Sequence, residues 1–240
     1  TSAYSVTGVQ TCALPICYLE EKPTTNGKGI AYFSMEFGIC NSLKIYSGGL
    51  GVLAGDYLKQ ASDSNIDLVA VGLFYKYGYF SQTLSIQGEQ QVNYLEQNPN
   101  NLAATLVRNE NGDPVTVEVA FPGRVLKIQV WQVNVGRISL YLLDVDRDDN
   151  SHDDRRLSYH LYGGNHTYRL QQEIILGIGG IRMLEALKIH KDIYHLNEGH
   201  AALAGIERIN SLFKIHNLMF ADALEIVRSS SLFTTHTPVP

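Results

Sequence analysis

Only three cysteines occur in 240 residues, Cys12, Cys17 and Cys40, and they fit neither a disulfide framework nor a metal-ligand spacing, so a reducing, cytoplasmic setting is expected. Runs of like charge are absent and the formal net charge is −5, which leaves no electrostatic footprint for nucleic acid or an anionic membrane. No apolar stretch reaches the roughly 18 to 20 residues that span a bilayer, so a soluble protein is expected. Internal repeats and low-complexity segments are lacking as well. No methionine opens the chain at Thr1, and Val239-Pro240 follow at once on a loop expected to lead into more structure, so the chain reads as a fragment. Val6 to Ile16 (VTGVQTCALPI) match the frame translation of a sequencing-library adapter, and residues 1–17 are therefore expected to be an artefact outside the fold.

What remains is an ordinary globular composition, 45% hydrophobic, sufficient for one large α/β domain or a domain with a subdomain. Ile30 to Phe37 predict a first strand, and the spacing of Leu53, Tyr57, Leu58 and Ala61 predicts a helix from Leu50 to about Ser62. Ile66 to Phe74 form a continuous apolar run of the kind found in a strand covered on both faces. Between about residues 114 and 146 the pattern changes to alternation, with Gly123 and Gly136 at the joints, which predicts an antiparallel meander inserted in the α/β frame. Asp146 to Asp154 carry five acids but lack the glycine and terminal glutamate of a calcium loop, so a solvated connection is expected. A long helix from Thr167 to Leu187, weakened by Gly177, Gly179 and Gly180, is expected to pack closely on a neighbour. A strand (193–196), two helices (201–210 and 221–229) and a last strand (232–235) complete the alternation.

Two polar loops begin where apolar strands stop: Asn197-Glu198-Gly199-His200 and Thr235-His236-Thr237-Pro238. In an open α/β sheet ligands bind in the crevice outside the carboxyl ends of the strands, so the two loops predict one shared site. Ser47-Gly48-Gly49-Leu50-Gly51 opens a helix, where glycines let a ligand approach the free N–H groups; a purely structural turn is the other reading. Gly49-x-Gly51-x-x-Ala54 satisfies the dinucleotide fingerprint literally, but no acid closes the second strand to hold a ribose. His195 and His200 stand five apart across a turn, which is not a zinc spacing. Tyr159 to Asn165, with aromatic rings, amides and two glycines, suits a neutral, hydroxyl-rich ligand.

Six ordered blocks then carry a resemblance. Tyr32 to Gly38 (YFSMEFG), Ser47 to Asp56 (SGGLGVLAGD), Leu161 to Gly164 (LYGG), Arg169-x-x-Gln172-Glu173, His195 to Ala202 (HLNEGHAA) and Thr235 to Pro238 together resemble the α-glucan (glycogen, starch or maltodextrin) phosphorylases in their bacterial short form. The resemblance runs from about Gly29 to Pro240. It implies that residues 18–240 are most of the Rossmann-like N-terminal half of a two-Rossmann-domain glycosyltransferase, with the C-terminal cofactor domain absent. It implies phosphorolysis of α-1,4-glucan by inorganic phosphate to glucose 1-phosphate, with pyridoxal 5′-phosphate held by a lysine of that other domain. A homo-oligomer of the intact enzyme is compatible with it. By resemblance, Gly48, Gly49 and Leu50 face phosphate and the glucosyl unit, His236 is catalytic at the reacting sugar, Glu198 and His200 shape the pocket, and Arg169 anchors a gating loop around Gly163 to Asn165. No cofactor or metal ligand is expected within this chain. Many relatives carry Asp where Asn165 stands, so this loop position brings no charge. A glycogen or starch synthase has a Lys two residues ahead of its glycine pair, where this chain has Tyr46, and a non-catalytic glucan-binding module is the remaining reading.

Overall fold

The computed structural model describes residues 28–236, so the expectation for residues 1–17, and Thr237 and Pro238 of the second histidine loop, lie outside the described residues. In chain order the elements are β1 (Ile30–Phe33), α1 (Gly49–Asp63), β2 (Leu68–Leu73), β3 (Ser81–Leu84), β4 (Gln90–Asn93), β5 (Thr105–Leu106), β6 (Thr116–Phe121), β7 (Arg124–Val135) and β8 (Ile138–Asp144). They continue with α2 (His152–Arg155), α3 (His166–Ile174), α4 (Gly180–Ala186), β9 (Ile193–Asn197), α5 (Leu203–His216), α6 (Phe220–Ser229) and β10 (Ser231–Thr234).

Eight strands form one sheet in the order β10-β9-β1-β2-β8-β7-β5, with β6 also paired to β7. The strands from β10 to β8 pair in parallel, and β7 runs antiparallel to β8, β6 and β5. The alternating residues 116–144 thus extend the main sheet through β8. Pro122-Gly123 turns β6 into β7 with Gly123 at φ +74°, and Gly136 at φ +61° turns β7 into β8, conformations that favour glycine. From β1 the chain first adds β2 and β8 on one side, then returns to add β9 and β10 on the other. The order therefore reverses between β1 and β9, the place where a sheet of this kind is expected to leave a crevice at the carboxyl ends of its strands.

Three departures from the predicted elements have local reasons. The first strand stops at Phe33 rather than Phe37, because the Ser34 hydroxyl turns onto the Glu36 carbonyl at 2.9 Å and Phe37 N–H bonds Ile45 instead of a strand. The long helix is interrupted by a wide π-type turn at Ile175–Gly179. Its glycines are packed: a Cβ on Gly177 would lie 2.7 Å from the Ala204 nitrogen, and one on Gly180 would lie 2.7 Å from the Phe33 ring. The helix expected over 201–210 begins as a short 3-10 turn and then runs to His216, where Asn217 closes it in the left-handed region at φ +51°.

The acidic connection also differs from a solvated loop. Asp154 is buried against Arg124, while Asp146 takes both Arg155, at 2.6 Å, and Lys76, at 3.0 Å. The β3–β4 hairpin, which has no apolar period in the sequence, forms a separate exposed ribbon.

Gly177→Ala is expected to cost about 1–3 kcal/mol through overpacking against the backbone of Leu203 and Ala204. Gly205→Ala, inside α5 with its nearest atom at 3.9 Å, is expected to gain about 0.5–1 kcal/mol. Urea unfolding midpoints of the two variants check this; a stabilised Gly177→Ala would contradict the close packing.

Candidate active site

The crevice between β1 and β9 is assembled around a carboxylate. Glu36, just beyond β1 and 3% exposed, accepts Ser47 N–H at 2.7 Å, the Ser47 hydroxyl at 3.3 Å and Gly48 N–H at 3.4 Å on one oxygen. The Tyr162 hydroxyl donates to its other oxygen at 2.7 Å. Four donors satisfy a charge that burial would otherwise make costly, and they tie the glycine loop and the segment before α3 to the end of β1. Burial and the Glu36 charge together push the Tyr162 phenol far above its ordinary range, so it remains a donor.

Held this way, the glycine loop presents the start of α1. Gly48 is its N-cap without any side-chain cap, no acid occupies the first turn, and the opening N–H groups have no partner within the helix. The two readings of this loop are separated by what surrounds its glycines. A Cβ on Gly51 would strike Tyr46 and Glu36, and one on Gly55 would strike Gly38, so those glycines serve packing. Gly48 and Gly49 have nothing within 4 Å and neither has a positive φ, so the described protein itself does not require them to lack side chains. Gly199 is equally open.

The β9 loop folds back through Glu198, which holds φ +67°, and Tyr162 stands at φ +57°. Non-glycine residues in this region store strain, and such strain clusters at functional sites. Glu198 carries a double contact with the β10 loop: its N–H donates to the Thr234 carbonyl at 2.8 Å, and its carboxylate accepts the His236 N–H. The His236 ring bonds the Asn197 amide oxygen at 2.9 Å. Two adjacent residues of one loop therefore hold both the backbone and the ring of His236.

Arg169 reaches across from α3. Its guanidinium lies 2.8 Å from His200 Nε2, 3.5 Å from Glu173 and 5.4 Å from the Tyr162 ring centre. Because the guanidinium only donates, His200 Nε2 accepts and the imidazole is neutral. Burial, reinforced by Arg169, lowers the His200 pKa. A cavity of about 520 Å³ is lined by His166, Arg169, Leu170, Glu173, Glu198, Gly199 and His200.

Of the residues singled out in the sequence, Arg169, Glu198 and His200 thus share one cavity. His236 joins them through Glu198, and Gly48 joins through Glu36 and Tyr162; Gly49 and Leu50 follow Gly48 into the first turn of α1. Asn165 stands apart: its side chain caps α3 by accepting Tyr168 N–H at 3.0 Å, and it lines a neighbouring cavity of about 480 Å³ with His160, Gly163 and Gly164. His195 and His200 turn to different partners, Thr234 and Arg169, and among the described residues no group of three or more His, Cys, Asp or Glu is placed to hold a metal. Sequence reasoning placed Asn197 and Tyr162 in candidate ligand loops without the holding roles they have here, and gave Glu36 no place in the site. The available signal was a carboxylate and an amide set among buried apolar residues.

No protein-family model matches the chain. It is 50% identical over 218 residues to the glycogen phosphorylase of Mycobacterium tuberculosis, covering 88% of this chain and 25% of that protein. The maltodextrin phosphorylase of Thermococcus litoralis is 47% identical over 211 residues, with the same two coverages, and the glycogen phosphorylase of Aquifex aeolicus is 37% identical over 215 residues, 90% of this chain and 31% of that protein. The chain spans about a quarter to a third of the length of these relatives. Among the described residues no helix is long and apolar enough to cross a membrane.

Burial lowers the pKa of both His195 and His200 from 6.5, so below that pH the unfolded chain takes up protons that the native imidazoles refuse. Stability is expected to fall as pH drops from about 7 through 6.5 and below. In His200→Gln, which removes one such group, the fall is expected to be smaller. Denaturant midpoints across this range check the sign; equal pH dependence in parent and variant would contradict it.

Proposed function

We propose that this chain is the sugar-side part of an α-glucan phosphorylase, the Rossmann-like half of a two-Rossmann-domain glycosyltransferase. The reaction we assign to the complete enzyme is phosphorolysis of α-1,4-glucan from its non-reducing end, with inorganic phosphate as acceptor and glucose 1-phosphate as product. The observation that carries this reading is the open space at Gly48 and Gly49, where the first turn of α1 has N–H groups without partners inside the helix, beyond the end of β1, beside which the strand order reverses. The names of the similar proteins supply the substrate class.

In this reading the N-terminus of α1 meets the anionic phosphate and the charge that develops on it, because aligned N–H groups cost no reorganisation during reaction. His236, gripped at backbone and ring, stands at the reacting sugar, and Glu198 and His200 wall its pocket. Arg169 fixes the access side through His200 and Tyr162, with Asn165 capping the helix that carries it.

The residues present do not fit the carbonyl cofactor of the family. Lys76, Lys127 and Lys191 pair with acids elsewhere, and the cation described at this site is Arg169, which forms no Schiff base. We therefore place pyridoxal phosphate and its lysine in further polypeptide and route no step through them here. Phe213, Met219 and Phe220 in and beside α5 and α6, and Leu232 and Phe233 on opposite faces of β10, the edge strand among the described residues, are exposed apolar side chains that further polypeptide would cover.

The test joins this chain to its downstream reading frame and assays the complete protein with glycogen and phosphate. Formation of glucose 1-phosphate is expected, and transfer from a nucleotide sugar instead would overturn the assignment. His236→Ala is expected to lower kcat and kcat/KM alike, by about 10² to 10³, the scale of one contact made in the transition state. A raised KM at unchanged kcat would reduce His236 to a glucan-positioning residue.

A further inference from the structure

The hydrogen bonds beneath the site share one direction. The Glu36 backbone carbonyl can only accept, and the Ser34 hydroxyl donates its single proton there at 2.9 Å. Ser34 Oγ is then an acceptor toward Asn197, 3.2 Å away, so the amide must present its NH₂ to Ser34 and its oxygen to the other side. That oxygen receives the Thr234 hydroxyl at 3.3 Å and His236 Nε2 at 2.9 Å. Thr234, having spent its proton, accepts from His195 Nε2 at 3.2 Å. Each assignment forces the next, and the chain starts from a backbone carbonyl whose polarity has no alternative.

We infer that Asn197 is a positioning residue that fixes His236 as its Nε2–H tautomer, and through Thr234 fixes His195 in the same form. With Nε2 committed as the donor to Asn197, a His236 ring carrying a single proton offers Nδ1 to a ligand as a hydrogen-bond acceptor. Among the described residues His195 Nδ1 is buried without a partner, as an unprotonated ring nitrogen can be. Burial holds His195 neutral, in keeping with one proton on the ring. Asn197 is fully buried, so no water competes for its amide.

The assignment concerns protons on this chain and stands whether or not the enzyme is a phosphorylase. Long-range ¹H–¹⁵N correlation on histidine-labelled 240-residue chain at pH 8 reads the tautomers directly. His236 and His195 are both expected as single Nε2–H forms. Asn197→Leu is expected to remove the single-tautomer pattern of His236, and Asn197→Asp, which keeps an acceptor oxygen, is expected to restore it. Thr234→Val is expected to release His195 while leaving His236 unchanged. An Nδ1–H pattern for His236 in the parent chain, or one unaltered by Asn197→Leu, would overturn the inference. Should Asn197→Leu fail to fold, the parent spectrum and Thr234→Val decide the matter.

Discussion

A carboxylate removed from water must be saturated with donors, and Glu36 meets that demand from two directions. Its donors are the glycine loop ahead of α1 and the hydroxyl of Tyr162, which lie 11 and 126 residues away in sequence. Neither segment belongs to the sheet. Without this anion at the end of β1 the loop would have no partner for its Ser47 and Gly48 amides, and the start of α1 would not be held in place. The interaction is a constraint more than a source of stability, because taking the charge out of water offsets much of what its hydrogen bonds return.

The rest of the site hangs from the same strand end. Ser34 carries the hydrogen bonds of β1 across to Asn197 on β9, and Asn197 passes them to Thr234 and His236 beyond β10. Three neighbouring parallel strands are cross-linked where their carboxyl ends open. Glu198 completes the arrangement in a strained backbone conformation, which lets one loop hold His236 at two points. A rigid strand order and a few buried polar groups thus give a fixed geometry to residues that lie on loops.

Much of this was legible in the sequence because it depends on local pattern. Apolar runs ending in Asn197 and His236 marked strand ends, and Ser47 to Gly51 marked a helix start. The glycines of residues 177–180 announced close packing, which Gly177 and Gly180 show against α5 and β1. What escaped was set by groups distant in the chain. Glu36 lies in an apolar run that reads as continuous strand, and only the return of Ser47 and Tyr162 shows why the strand ends early. The glycine loop's two roles, packing at Gly51 and openness at Gly48 and Gly49, are identical in sequence and separate only when the surrounding atoms are placed. The ion pairs of Asp146 and Asp154 likewise depend on Arg155, Lys76 and Arg124 arriving from other segments.

The central claim is that the Glu36 charge holds the glycine loop in its receptive form, and amide hydrogen exchange on parent and Glu36→Gln measures it most directly. Losing a charged hydrogen bond of about 1.5–3 kcal/mol corresponds to about ten- to a hundredfold faster opening. The account predicts that Ser47 N–H loses protection on that scale in Glu36→Gln while the amides of β1 and β2 keep theirs. Equal exchange of Ser47 in the two proteins would contradict it.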